Sequence, residues 1–497
     1  MRSFLTLVAA VLVGTPAFAQ LGTFPSGTDI WQTGTGAVPG LFVARQSPNL
    51  APAAPAQPVS NQSTPTSWPS WYPQVPGTPV AGGTLVTGIT VGAFYDDNIF
   101  ATNTNRLHDW AFFARPEFTW VKQGQNYTVA TDGFVEGREY ARFSSENQIN
   151  GSLGASFTVM PDNNTQVVGG ARYIHSNLSR GASETVVTTA AGSQLLSTLF
   201  THPVAYDEGL ESIALNKRYG NWWSSLGAAG LEIEYQNPTI GSISGVTPLT
   251  GTSVDLGYAD GAIGAINGRL GYVIMPLTSV FAEVAGNTRD WGVSYFNSNG
   301  YRLVAGLLFE QGPGARLKGE FWGGYMNQMY NGTTMSTVSS WTYGVSLAVI
   351  VTDNVTAVVE GRREAKEAAL GLALLPSGAL GASAATCNID AAVCVSAIES
   401  SIGGRVDYRI ARNVVVGGGV TYLEDDYQGA LAFGRVDRTL SPLASVKYFA
   451  TPNITLGFDY RNVAFSSGGG LAPPPFTSVG AVPYARNIYL FSMNARW

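Results

Sequence analysis

The stretch Ile488-Tyr489-Leu490-Phe491-Ser492-Met493-Asn494-Ala495-Arg496-Trp497 decides the fold. Counting back by twos from Trp497 gives Ala495, Met493, Phe491 and Tyr489. The intervening positions end in Ser492, Asn494 and Arg496. A period of two is the strand period. One face of this strand is apolar to its end, and the other turns polar. Such a strand wants hydrocarbon on one side and water on the other.

The same pattern continues upstream. Val446-Lys447-Tyr448-Phe449-Ala450 leads through a Thr451-Pro452-Asn453 turn into Ile454-Thr455-Leu456-Gly457-Phe458-Asp459-Tyr460-Arg461. Ile454, Leu456, Phe458 and Tyr460 share one face; Thr455, Gly457, Asp459 and Arg461 share the other. A soluble sandwich also alternates in this way, so the turns carry the next step. Short turns recur at 160–164, 275–277, 352–354, 411–413 and 451–453, rich in Pro, Asn and Asp, which supply turn geometry. Long connections rich in Gly, Ser, Thr and Asn lie between them, at 179–203, 238–261, 367–397 and 466–483. Short turns on one side and long loops on the other mark a transmembrane barrel.

The expected fold is all-β: a transmembrane antiparallel up-and-down β-barrel over residues 83–497. The ladder counts to about eighteen strands, within a range of about sixteen to twenty. The stretch 237–261 is where two more strands are most easily hidden. An even count returns both ends of the barrel to the periplasm. Trp497 and the apolar face of Tyr489, Phe491 and Met493 resemble the assembly signal of bacterial outer-membrane barrels, which makes the barrel assembly machinery an expected partner.

Composition agrees. Charged residues are 12% of the chain, about half the usual share in soluble domains. Aromatic residues are 11%, and there are 59 glycines. With 45% hydrophobic residues the chain as a whole is not disordered. A formal net charge of −6 without a basic stripe argues against nucleic-acid binding.

The N-terminus sets the compartment. Arg2 is a basic n-region, Leu5–Val13 an apolar run too short to span a bilayer, and Ala17-Phe18-Ala19 a small-x-small cleavage site. Residues 1–19 read as a signal peptide cut near Ala19/Gln20, and the expected location is the bacterial cell outer membrane. Residues 20–82, rich in Pro, Ser and Thr, read as a mostly disordered periplasmic leader. Trp68, Trp71 and Tyr72 leave plugging of the lumen or docking to a partner open for it. Cys387 and Cys394 are expected to pair as a disulfide in an oxidising compartment; no His stands near them to make a metal site.

A charge facing lipid near the midplane costs up to a few kcal/mol, so charges on strands should point inward. The expected lumen-lining set is Glu136, Arg138, Arg142, Glu232, Glu234, Glu283, Arg289, Glu360, Arg362, Glu364, Lys366, Asp459 and Arg461. Val135-Glu136-Gly137-Arg138 recurs as Val359-Glu360-Gly361-Arg362, which suggests equivalent strands. These rows serve either solute selectivity or a salt-bridged wall. Trp110, Trp120, Trp222, Trp223, Trp291, Trp322 and Trp341 are expected at the interfacial girdles, with an aromatic row lining the lumen for sugars as the alternative.

Gly92 to Trp120 reads GAFYDDNIFATNTNRLHDWAFFARPEFTW. Through Tyr95 to Thr102, Asp109-Trp110 and Arg115-Pro116 it resembles the opening of the putative β-barrel porin 2 family of outer-membrane proteins. The resemblance implies an outer-membrane barrel, and in some members an association with exopolysaccharide export. It brings no catalytic residue. Asp96 to Arg106 would form the first external loop, whose carboxylates bind a cation or pin the loop.

No G-x-S-x-G elbow or H-E-x-x-H motif occurs, and His108, His175 and His202 are far apart. No enzyme, cofactor or metal is expected. The expected function is a porin-like passive channel for small hydrophilic solutes, set in outer-membrane lipid. The alternatives are an outer-membrane component of exopolysaccharide export, or a barrel enzyme or adhesin using the long external loops.

Overall fold

A computed structural model describes residues 75, 77–178, 180–181, 186–189, 192–195, 199–241, 251, 253, 256–257, 260–292, 294–309, 316–332, 335–370, 372–373, 393–429, 434–469 and 483–497. The expected signal peptide, nearly all of the expected leader and Cys387 of the expected disulfide lie outside the described residues. The rest is built from eighteen long antiparallel strands. They are β1 (Gly83–Asp96), β2 (Asp109–Gln123), β3 (Tyr127–Tyr140), β4 (Gln148–Asp162), β5 (Thr165–Asn177) and β6 (Ala205–Tyr219). Then come β7 (Trp222–Tyr235), β8 (Gly261–Met275), β9 (Thr278–Trp291), β10 (Ser298–Phe309), β11 (Leu317–Tyr330) and β12 (Val338–Thr352). The last six are β13 (Val355–Leu370), β14 (Val393–Ala411), β15 (Val414–Tyr427), β16 (Val436–Phe449), β17 (Ile454–Gly468) and β18 (Tyr484–Arg496).

Each strand pairs with its neighbours in sequence, and β18 pairs back onto β1 from Gly88↔Arg496 to Asp96↔Ile488. The sheet is closed and leaves no long edge. A short strand, Thr78–Val80, turns back onto Gly83–Leu85 beneath the end of β18. Below the seam, Thr87 and Trp497 exchange both backbone hydrogen bonds at 3.0 Å.

The tight turns fall where Pro, Asn, Asp and Gly dictate. Asn164, Asn354 and Asn453 each donate a backbone N–H to the side chain two residues earlier: Asp162 Oδ1, Thr352 Oγ1 and Thr451 Oγ1. These turns share one rim, with those at 220–221, 276–277 and 412–413. The long connections leave the opposite rim. Between β7 and β8 the described residues form no further barrel strand and make the isolated bridges Phe200↔Ile240 and Thr239↔Ser253. One expected loop is shorter than its composition suggests. The connection placed at 367–397 remains strand to Leu370 on one side and from Val393 on the other.

Outward positions carry the exposed apolar side chains, such as Phe112, Leu153, Ile213, Leu226, Ile266 and Phe491. Tyr489, Phe491, Met493 and Trp497 stand together on this face and are exposed. Outward aromatics gather towards the rims. Tyr95 packs against Trp110 and Tyr489, with ring centroids 5.3 and 6.3 Å away, and Tyr489 continues the row to Tyr460 at 5.1 Å. At the short-turn rim Trp222 meets Tyr272 at 4.9 Å.

The girdle expectation fails for three tryptophans. Trp223, Trp291 and Trp322 face inward and are buried. Trp222 and Trp223 are adjacent, so strand alternation forces them to opposite faces. Trp223 lies flat over Gly271, and Trp322 over Gly344; a Cβ at either glycine would collide with the indole.

Candidate functional site: the inward wall and its seam

The concave face is identified by ion pairs that join strands which are not neighbours. Arg172 of β5 donates both bonds of a bidentate pair to Asp132 of β3, at 2.8 and 2.7 Å. Arg269 of β8 contacts Glu283 of β9 and reaches Glu320 of β11, Nη1 to Oε2 at 2.9 Å. Only inward-pointing side chains of a curved sheet can converge in this way.

Most of the expected charged set falls on this face. Glu136 accepts from Arg138 Nη2 at 2.7 Å. Glu283 accepts from Arg302 Nη2 at 2.6 Å as well as from Arg269. Arg289 pairs with Glu367 at 2.8 Å. Arg362 contacts Glu364 at 2.9 Å and Glu399 at 3.2 Å, and Lys366 lies 3.0 Å from Asp425. Arg461 Nε donates to Ser441 Oγ at 2.7 Å. Glu360 and Asp459 face inward and are half-buried.

Three expected residues lie elsewhere. Glu232 and Glu234 are exposed on the outward face of β7, the face of Leu226, while Leu231 and Ile233 point inward and are buried. They stand near the external end of β7, beside outward Asp207 and Glu211 of β6. A rule that assigns the apolar face to lipid holds only across the hydrocarbon layer. Nearer the rim the outward face meets a polar environment, and the assignment reverses. Arg142 lies past the end of β3 in an external turn; it is exposed, with its guanidinium 5.4 Å from the Phe143 ring. Its backbone N–H donates to Asp109 Oδ2 at 2.9 Å.

Several inward charges were not expected: Arg115, Asp132, Arg172, Arg269, Arg302, Glu320, Glu399, Arg405, Asp407, Lys447 and Arg486. Charges in i,i+2 rows announce a polar face in the sequence, whereas many of these are single charges in otherwise apolar or Gly-rich strands. The face rule finds them: Arg269 alternates with Leu270, whose outward side chain is 54% exposed, so Arg269 must point in.

The wall is not uniform. Glu208, Asn216, Asn267, Arg269, Glu283 and Arg289, inward from β6–β9, are all buried. Glu360, Arg362, Arg405, Asp459 and Arg461, from β13, β14 and β17, keep water access. Guanidinium groups also stack on inward rings: Arg269 over Phe281 at 4.2 Å, Arg302 over Trp322 at 4.5 Å and Arg115 over Phe134 at 4.0 Å.

The quoted stretch at 92–120 forms the seam. Asp96, the last residue of β1, accepts from Arg486 Nε of β18 at 2.6 Å and from the Asn98 N–H at 2.9 Å. Asp97 accepts from the backbone and side-chain nitrogens of Asn487, both at 2.6 Å. Asn98 Nδ2 donates to Ala485 O at 2.9 Å and Thr102 O at 2.7 Å. Ile99 is buried with Phe94, Phe113, Tyr140, Ile488 and Leu490 below this clasp. These carboxylates pin the first external connection, whose residues are 97–108; Asp96 itself belongs to the strand.

Arg115-Pro116 interrupts the β2–β3 ladder, which runs from Ala114↔Gly137 directly to Glu117↔Phe134. Pro116 has no N–H to give that ladder. The buried Arg115 stands in the gap, 3.9 Å from both Glu117 and Glu136.

Among the described residues no group of three or more His, Cys, Asp or Glu side chains is arranged to hold a metal ion. The sequence matches the profile of the putative beta-barrel porin 2 family over residues 76–472. No curated protein matches the chain. Similar solved structures include OccAB4 of Acinetobacter baumannii, with 11% identity, TM-score 0.40, and 83% of this chain and 98% of that one covered. OpdO of Pseudomonas aeruginosa is similar at 13% identity and TM-score 0.39, with coverage of 84% and 98%. The siderophore receptor PirA of the same organism is similar at 10% identity and TM-score 0.37, with coverage of 85% and 82%.

Proposed function

We propose that this chain, which belongs to the putative beta-barrel porin 2 family of outer-membrane barrels, is a passive channel for small hydrophilic solutes. One observation carries the reading: the barrel's inward face is charged, and Glu360, Arg362, Arg405, Asp459 and Arg461 on β13, β14 and β17 remain accessible to water. A barrel of this strand number is wide enough to leave an aqueous path beyond its own side chains. The dry wall of β6–β9 puts that path off-centre, towards the accessible charges of β13, β14 and β17 and towards β3, where Asp132 and Arg138 are also only half-buried.

The charges on the wet side are of both signs. Arg362 and Arg405 stand close to Glu364 and Asp407, at 2.9 and 2.8 Å. Each ion leaving bulk water would meet attraction and repulsion within the same few ångströms, so net ion selectivity should be weak. Uncharged polar or zwitterionic solutes suit such a wall best.

The test is conductance of the purified barrel in planar bilayers, with liposome swelling in sugars of graded size. Stepwise conductance with weak ion preference is the expected result. A folded barrel that stays closed at all voltages, and admits no sugar, would overturn the proposal.

A further inference from the structure

Above Glu364 the hairpin of β13 and β14 stops behaving as wall. In a wall, inward and outward positions alternate, and so does burial. Here Ala365, Lys366 and Glu367 are consecutive and all buried, and so are Val395, Ser396, Ala397, Ile398 and Glu399. Both faces of the hairpin are therefore covered by protein.

The contacts identify the cover. On one side Arg289 of β9 donates from Nη1 to Glu367 Oε1 at 2.8 Å and to Ala365 O at 3.2 Å. The Tyr330 hydroxyl of β11 donates to Lys366 O at 3.3 Å, and Ser396 Oγ donates to Ser336 O at 2.6 Å. Met326, Val338, Ala365 and Ile398 make an apolar contact among these bonds. On the other face Lys366 Nζ lies 3.0 Å from Asp425 of β15; along its β14 edge the hairpin stays paired with β15, from Ala397↔Tyr427 to the Gln428 N–H donating to Ser396 O at 2.8 Å. Strands β10, β11 and β12 separate β9 from β13. Arg289 can touch Glu367 only because the hairpin leans inward across the concave side.

We infer that this arm, at 365–367 and 395–399, is the size-limiting element of the external mouth. Arg289–Glu367 ties it to one wall and Lys366–Asp425 to the next. The arm narrows the approach to the water-accessible charges Arg362 and Glu364 directly below it. Its transport role rests on the channel reading above; its seating against the wall does not, and is tested separately.

The background is Cys387→Ser with Cys394→Ser, carrying Ala397→Cys as a reporter. Ala397 is fully buried, so a membrane-impermeant maleimide should label this thiol slowly in the folded barrel. Adding Arg289→Ala should speed labelling by about tenfold, as the arm opens locally. In bilayers Arg289→Ala should raise conductance by about twofold and admit tri- and tetrasaccharides relative to monosaccharide. Heat-dependent gel mobility verifies folding, and Glu367→Gln is the milder variant if Arg289→Ala does not assemble. Full-rate labelling without Arg289→Ala would show that the arm is not seated and overturn the inference. Faster labelling with unchanged conductance and size limit would overturn its transport role. A parent barrel that never conducts would sink the channel reading and that role with it, while labelling would still report whether the arm is seated.

Discussion

Arg486 and Asp96 meet across the line where the last strand joins the first, with Nε 2.6 Å from Oδ2 and both side chains buried. Breaking such a pair strands a charge in a dry site. Asp96→Ala should therefore cost about 3–5 kcal/mol of barrel stability. Asp96→Ala with Arg486→Met should recover part of that loss. Urea-dependent unfolding in detergent or lipid, followed by gel mobility, reads both. Equal losses for the single and double variants would show that the pair is not the cause.

The dry wall and the wet wall should answer differently to charge removal. Glu283→Gln withdraws the carboxylate shared by Arg269 and Arg302 and should destabilise the barrel by about 3–5 kcal/mol with little change in ion preference. Arg362→Gln with Arg405→Gln removes two water-accessible cations and should shift the reversal potential in a salt gradient towards cations, by about a few-fold in permeability ratio. Both are measured on the same purified channels.

Depth along β7 gives a third expectation. Leu226→Arg places a charge on the apolar part of the outward face and should cost about 2–4 kcal/mol, whereas Glu232→Arg nearer the rim should cost about 1 kcal/mol or less. Equal costs would mean that Glu232 and Leu226 lie at the same depth.

The outward row of Tyr489, Phe491, Met493 and Trp497 ends at the Thr87–Trp497 backbone pair. If the row serves as an assembly signal, Trp497→Ala with Phe491→Ala should reduce folded barrel in the outer-membrane fraction far more than it lowers the stability of refolded protein. Yield of heat-modifiable protein in cells, set against in vitro unfolding, separates the two effects.

Much of this architecture was legible because strand alternation is local. Val446 to Arg461 announces two strands and a turn without reference to anything else in the chain. The strand count follows from repeating that reading, and Pro, Asn and Asp mark the turns. What was not legible depends on depth or on distant partners. Glu232 and Glu234 alternate with Leu231 and Ile233 as a buried row would, yet they share the outward face of Leu226 at the end of β7 furthest from its tight turn. The inward arm is silent for a different reason: Glu364 and Lys366 keep the strand period while the hairpin leaves the wall, and Glu367 meets Arg289 from a strand far along the chain. The quoted 92–120 stretch could be read as a cation loop or a pin. Its partners Arg486 and Asn487 lie near the other end of the barrel sequence and decide for the pin.

The seam has a topological consequence. Trp497 pairs with Thr87 at the rim where β1 begins at Gly83, and Asp96–Arg486 holds the join from the opposite rim. The closed ladder therefore has no privileged starting strand. A circular permutant that links these ends through a short Gly/Ser bridge and opens the tight turn at 353–354 keeps every pairing among the eighteen barrel strands and gives up only that of Thr78–Val80 with β1. In it the clasp becomes an ordinary hairpin contact, and the new ends come to lie at β12 and β13.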